Sequence, residues 1–445
     1  MHHKPPDGQP VSDRICPAAL ARARYQEPCM SDDTLADSTP EHADIVVAGA
    51  GYVGLTTAVA IADAAPSLKI VLVDAAPEGV WQRDGRASAV AAAAIRMLEQ
   101  LGIWQEVADE AQPITEMIVT DSRTSDPVRP VFLTFGGEAR PGEPFAHMLP
   151  NVALNGALRK RADALGIQIR AATAVSGIDQ KPASIRVKLA SGGAIEARLL
   201  VACDGVRSAI RDMAGIGTVH WDYGQSGIVA TVAHERPHHG RAEEHFLPSG
   251  PFAILPLKGN RSSLVWTEPT READRLVASD DMMFELELEQ RFGHKLGALT
   301  VEGGRRAFPL GLTLARDFVR PRIALAGDAA HGIHPIAGQG LNLGFKDAAA
   351  LAETVVEAAR LGLDIGALDT LQTYQRWRRF DTVQMGITTD VLNRLFSNDN
   401  GILRAARSFG LSLVDRTPRL KDFFIGQAAG LHSGASPRLL QGEAI

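Results

Sequence analysis

Ile45-Val46-Val47-Ala48-Gly49-Ala50-Gly51-Tyr52-Val53-Gly54 joins a short apolar run to a Gly-x-Gly-x-x-Gly turn, and an alanine-rich helical pattern continues from it through Ala62. A second apolar run, Ile70-Val71-Leu72-Val73, ends at Asp74, which stands about 20 positions past the last glycine. Strand, glycine turn, helix, strand and acid in this order form a dinucleotide-binding fingerprint. Gly49, Gly51 and Gly54 let a pyrophosphate approach the helix N-terminus, and Asp74 suits the hydroxyls of an adenosine ribose.

A second informative stretch is Gly327-Asp328-Ala329-Ala330-His331-Gly332-Ile333-His334-Pro335-Ile336-Ala337-Gly338-Gln339-Gly340-Leu341-Asn342. The apolar run Ile323-Ala324-Leu325-Ala326 precedes it, and Leu341, Ala348, Leu351, Ala352 and Val355 follow at helical spacing, so the motif links a buried strand to a helix. Asp328 at a strand's carboxyl end can accept hydrogen bonds from sugar or ribityl hydroxyls. Gly338, Gly340 and Asn342 fall at the helix start, whose positive dipole end favours negative charge such as that on a reduced flavin. The segment reads as a flavin site. A third stretch, 198–211, runs from a buried strand into Asp204-Gly205 and then Ser208 and Arg211. Asp-Gly makes a tight turn, Ser208 can cap the next helix, and Arg211 can reach back to the turn or to a phosphate.

The chain has 445 residues, a formal charge of -6 and a pI near 6.1. There is no basic footprint for nucleic acid. No apolar segment reaches the roughly 18 to 20 residues that span a bilayer. Cys16, Cys29 and Cys203 are far apart and lack metal-ligand spacing, as expected for a reducing, cytoplasmic compartment. Residues 1–43 read as a disordered leader. They hold no apolar core for a secretory signal, and Asp13, Glu27, Asp32, Asp33 and Asp37 argue against a transit peptide. The change of composition after Met30 makes that residue the expected start.

Nucleotide-type elements recur near 45–75, 200 and 325 with sheet-like sequence between them. The expected class is α/β: a discontinuous Rossmann-like domain over 44–113, 149–217 and 311–362 with an inserted, mainly antiparallel sheet domain over 114–148 and 218–310. Residues 363–445 form a helical C-terminal region in this scheme. Arg86 opens a stretch, 87–101, that is nearly all alanine and aliphatic and predicts a long helix; Arg86 itself suits a phosphate, a helix cap or the plain surface. A further helix is expected over 155–165, and the prolines of 246–257 suggest edge strands of a pocket wall.

These three sites in this order resemble the FAD-dependent aromatic hydroxylases of the para-hydroxybenzoate hydroxylase class, from Asp44 to the C-terminus. The 327–344 motif, Pro248 to Leu257 and Gly430-Leu431-His432-Ser433-Gly434 are similar to the ubiquinone-biosynthesis hydroxylases within it. The resemblance implies bound FAD, with Gly49, Gly51 and Gly54 on the pyrophosphate, Asp74 on the adenosine ribose, and Arg86 and Asn151 along the dinucleotide. It places Asp328 at the FAD ribose or ribityl region with Gly327 among the cofactor-binding residues, and Pro335 with Gly338, Gln339, Gly340, Leu341 and Asn342 along the isoalloxazine. Asp204, Gly205, Ser208 and Arg211 would serve FAD and a transient NAD(P)H. NAD(P)H would reduce FAD, and a flavin hydroperoxide formed from molecular oxygen would hydroxylate a phenolic ring. The implied substrate is a lipophilic, polyprenylated phenol.

His331 and His334 are loop histidines without a carboxylate-rich partner set, so no metal is expected, and no catalytic acid or base is named. Leu392, Leu395, Phe396, Ile402, Leu403, Phe409 and Leu411 mix with Arg394, Arg404, Arg407 and Arg416. That composition fits either a helical core or peripheral contact with the inner face of a membrane or a biosynthetic complex. Two alternatives stand beside the hydroxylase of prenylated phenols: a hydroxylase of small soluble aromatics or secondary metabolites, and a non-catalytic flavin-binding member of a complex.

Overall fold

The computed structural model describes residues 40–121, 131–136, 138–334, 339–396 and 436–445. Its first sheet has six strands in the order Gln168–Arg170, Ile70–Val73, Ile45–Ala48, Leu199–Ala202, Ile323–Leu325 and Val319–Arg320. All but the last pair run parallel. The central strands are apolar along their whole length because both faces are covered, the usual state of a parallel sheet. Helix Tyr52–Ala64 and helix Gln339–Arg360 pack against each other over this core. Small residues at Ala58, Ala60, Ala348, Ala349 and Ala352 are buried there and allow close approach.

The second large sheet has eight strands in the order His331–Gly332, Leu299–Ala315, Thr218–His234, Arg261–Pro269, Gly250–Leu257, Arg241–Leu247, Glu116–Asp121 and Val131–Gly136. Only Arg241–Leu247 and Glu116–Asp121 pair in parallel. Ile228, Ala230, Val232, Phe252, Ile254, Leu264 and Trp266 alternate onto one face, as a period of two requires. Helices Thr270–Ala278 and Asp281–Phe292 close that face with Leu276, Phe284 and Leu288. Asp280 caps the second helix through the Met283 amide at 2.8 Å.

Four expectations need correction. Residues 87–101 are not one helix: Ala87–Ala91 is a strand, antiparallel to Ala146–Pro150, and only Ala92–Gln100 is helical. Alanine's helix preference is worth little against a sheet partner that pairs five successive residues. Gln112–Ile114 completes that three-stranded sheet. The helix expected over 155–165 begins a turn earlier, at Asn151, directly after Pro150. Pro251 and Pro256 lie in an interior strand rather than at an edge, each one residue from a strand end, where a missing amide costs only one ladder bond. Residues 41–42, placed in the leader, form a strand parallel to Ala194–Ala197.

Trp266 is 1% exposed and packs against Phe252 and Phe284. W266A should therefore cost about 3–5 kcal/mol, read as a lower urea midpoint at unchanged m-value. A loss below about 1 kcal/mol would show that this face is not a closed core.

Candidate active site

Three loops converge at the carboxyl ends of the parallel strands. In the first, Gly49 has φ +106°, and a Cβ there would lie 2.3 Å from the Cys203 carbonyl oxygen. A Cβ on Gly54 would lie 2.0 Å from the Gly49 carbonyl oxygen, whereas one on Gly51 would meet nothing within 4 Å. Gly49 and Gly54 are thus fixed by protein packing, and Gly51 faces open space. Gly51 is the N-cap of helix Tyr52–Ala64, with no side-chain cap and no acid in the first turn, so the dipole end stays available to an anion. Asp74 accepts the Ala50 amide at 3.1 Å and the Ala76 amide at 2.9 Å, which orients its carboxylate beside the glycine turn.

Asp84 gathers the next group. It accepts the Tyr52 hydroxyl at 2.9 Å, Arg86 Nε and Nη2 at 2.7 and 2.8 Å, and Asn151 Nδ2 at 3.1 Å. Partial burial alone would raise its pKa, but Arg86, Asn151 and Tyr52 together hold it down to about 2. Ser88 donates to Asn151 Oδ1 at 2.7 Å. Arg86 lies over the Phe308 ring at 5.3 Å. A cleft of about 320 Å³ opens here, with Asp84 and Arg86 on one side and Arg261, Arg306 and Phe308 on the sheet side.

In the second loop, Ser208 Oγ donates to Asp204 Oδ1 at 2.5 Å and accepts the Arg211 amide at 3.0 Å. The Arg211 guanidinium donates to the Val206 and Ala329 carbonyls at 3.0 and 3.1 Å. Ser208 and Arg211 are buried. They brace the 327–330 segment from behind, while Gly205, at φ +84°, has nothing within 4 Å of its Cβ position.

The third loop is held by a buried carboxylate that sequence reasoning missed. Asp347 accepts the Gly327 amide at 2.9 Å and Arg378 Nε at 2.8 Å, and it bonds His331 Nε2. All three side chains are buried. Burial works against its ionised form, yet His331 and Arg378 bring its pKa below the usual value. Its one visible signal was an acid that opens the apolar run Ala348-Ala349-Ala350-Leu351-Ala352; Arg378 sits in an arginine-rich run that reads as surface. Asp328 is accessible to solvent, and the protein around it pushes its pKa up against the pull of His331 and Arg86. Val53 touches both Gly327 and Gly344, where added Cβ atoms would lie 3.0 and 2.5 Å from its Cγ2. Glycine turn and flavin loop are therefore in direct contact.

Asn342 turns its side chain to the strand Ala87–Ala91, accepting the Ala91 amide at 2.8 Å and donating to the Ala89 carbonyl at 2.9 Å. Gln339, Gly340 and Leu341 open helix Gln339–Arg360, and a Cβ on Gly340 would meet nothing within 4 Å. Pro335 and Gly338 lie outside the described residues, as do Gly430 to Gly434 and most of the amphipathic segment. His334 is fully buried with its ring edge-to-face to Tyr223 at 5.4 Å, and burial lowers its pKa to about 4. It is neutral at neutral pH. Burial pushes the Cys203 thiol up, which makes it inert.

The FAD binding domain family matches residues 42–382. Ubiquinone hydroxylase UbiL of Rhodospirillum rubrum is 42% identical over 422 residues, 94% of this chain and 96% of its own length. The 3-demethoxyubiquinol 3-hydroxylase of Escherichia coli is 31% identical over 88% of this chain and 100% of its own. The mitochondrial ubiquinone biosynthesis monooxygenase COQ6 of Danio rerio is 30% identical over 90% and 93%. Among solved structures, p-nitrophenol 4-monooxygenase PnpA of Pseudomonas putida shares the fold with a TM-score of 0.73 at 19% identity, over 88% of this chain and 100% of that one. Matched along nearly its whole length, and built around an uncapped glycine turn in contact with the loop that starts at Gly327, this chain belongs to the FAD-dependent aromatic-ring monooxygenases, in the branch that holds the ubiquinone hydroxylases.

Proposed function

We propose that this monooxygenase hydroxylates the ring of a prenylated phenol in ubiquinone biosynthesis. The observation that carries the reading is the alignment with a ubiquinone hydroxylase over 94% of the chain. FAD, reduced by NAD(P)H, supplies the electrons and activates the oxygen. The residues fit that cofactor. In this reading the open Gly51 and the uncapped helix behind it take the pyrophosphate, Asp74 the ribose, and Arg86 and Asn151, held by Asp84, line the dinucleotide. Asp328 accepts from ribityl hydroxyls. Gly327, Pro335 and the amides of Gly338, Gln339, Gly340, Leu341 and Asn342 pass along the ring system, where the helix end favours negative charge. Asp204 and Gly205 take the neighbouring rim, with Ser208 and Arg211 positioning it rather than touching the ligand.

A lipophilic phenol must be collected from a membrane or a protein partner. No helix among the described residues is long and apolar enough to cross a membrane, and we assign the contact to the arginine-rich apolar segment between 392 and 416. Deleting the gene in its host should make a quinone precursor accumulate that lacks one ring hydroxyl. An unchanged quinone profile would refute the substrate class and favour a small soluble aromatic.

G51V should bind FAD at least about tenfold more weakly by flavin fluorescence titration while the apoprotein melts within a few degrees of wild type, since its side chain enters only ligand space. G54A should instead lower the apoprotein's melting temperature, because its Cβ meets backbone at 2.0 Å. D347N leaves Arg378 buried beside a neutral amide and should cost about 3–5 kcal/mol in urea unfolding. A loss under about 1 kcal/mol would show that the brace is not needed.

A further inference from the structure

The large sheet has a second face, turned away from helices Thr270–Ala278 and Asp281–Phe292. Register places Val119, Glu244, Ala253, Val265 and Val229 in one row across it. Side chains two residues along, Phe246 and Thr267, share the face because strand side chains alternate. Toward one end, Ala242 packs with Phe145 and Met148, alongside Ala87 and Ala89; Ala89 belongs to the strand that Asn342 grips from the flavin-loop helix. Toward the other, Gln225 accepts a hydrogen bond from Asn393 of helix Leu368–Phe396 at 3.0 Å. The row thus lies between the flavin-loop side and the C-terminal helix.

Glu244 is out of place on such a face. It is 3% exposed, and its side chain has no hydrogen bond and no ion pair with any described residue; burial raises its pKa to about 7. The Thr267 hydroxyl, on a residue 1% exposed, also lacks a partner among the described residues. Leaving a carboxyl group and a hydroxyl unpaired in an apolar setting costs several times what an ordinary hydrogen bond contributes, so buried polar groups are nearly always satisfied. Two orphans on one apolar face mark a place where a ligand supplies the partners.

We propose that Glu244 is the substrate-binding residue that accepts a hydrogen bond from the ring hydroxyl of the phenol, with Thr267 bonding a second ring oxygen. The aromatic ring then lies against Val119, Ala253, Val265 and Phe246, and the prenyl chain leaves along the apolar row. This rests on the reading of the substrate as a prenylated phenol. A carboxylate acceptor on a desolvated hydroxyl discriminates strongly against ligands that cannot donate.

The test uses FAD-loaded protein and two probes, 2-prenylphenol with one isoprene unit and its O-methyl ether, titrated by the change in flavin absorbance. Wild type should bind the phenol about tenfold or more tightly than the ether. E244L should bind both alike, and E244Q, which keeps an acceptor without charge, should fall between. T267V, whose partner oxygen both probes lack, should keep the wild-type preference for the phenol. FAD content and circular dichroism confirm folding, and E244Q, nearly isosteric, carries the test if E244L does not fold. Unchanged discrimination in E244Q and E244L overturns the role of Glu244 alone. Wild type that binds the phenol no better than the ether overturns it too, whereas wild type that binds neither probe overturns the prenylated-phenol reading and this inference with it.

Discussion

A carboxylate without access to water, Asp347, accepts the Gly327 amide, the Arg378 guanidinium and the His331 ring at once. Two partners come from the 327–331 segment and the third lies almost 50 residues further on. Through these bonds the end of a parallel strand, the short strand His331–Gly332 and the long helix Leu368–Phe396 are fixed to helix Gln339–Arg360. Removing Arg378 would leave the Asp347 carboxylate without its cationic partner in the interior, so the arrangement holds as a network. The position of the 327–331 segment follows from it.

Steric closeness carries that order to the other end of the site. Val53 is wedged between Gly327 and Gly344, and Gly54 lies under the Gly49 carbonyl. No side chain larger than hydrogen fits at those points. The fingerprint turn and the flavin loop, almost 280 residues apart, therefore hold one geometry, with Gly51 and Gly340 left facing open space. Arg211 adds a third support by donating to the Ala329 carbonyl. Rigid backing behind a ligand surface is what pre-organised binding requires.

The large sheet solves a different problem. Its helix-covered face is an ordinary core around Trp266 and Phe284. The opposite face keeps polar groups that a core would exclude, Glu244 and Thr267, among apolar neighbours. One sheet thus carries two unlike faces, since alternating side chains let each be set independently. Asp84 does similar work at the cleft, where three donors hold one carboxylate.

By itself the sequence determined the α/β class and the positions of the three site loops, because glycine spacing, apolar runs and turn acids are local properties read within a few residues. The Gly49 turn, the Asp204 turn and the loop that starts at Gly327 were all legible for that reason. Tertiary structure alone decided what the side chains near them do. Ser208 caps the helix as its position suggested, and of the two reaches open to Arg211, the turn or a phosphate, the fold shows the one to the turn carbonyl; residues 87–91, read as helix, became the strand that Asn342 holds. Asp347, Arg378, Asp84 and Glu244 could not be found in one dimension. Their significance lies in burial and in partners, or missing partners, that are distant along the chain, and only folding brings those together.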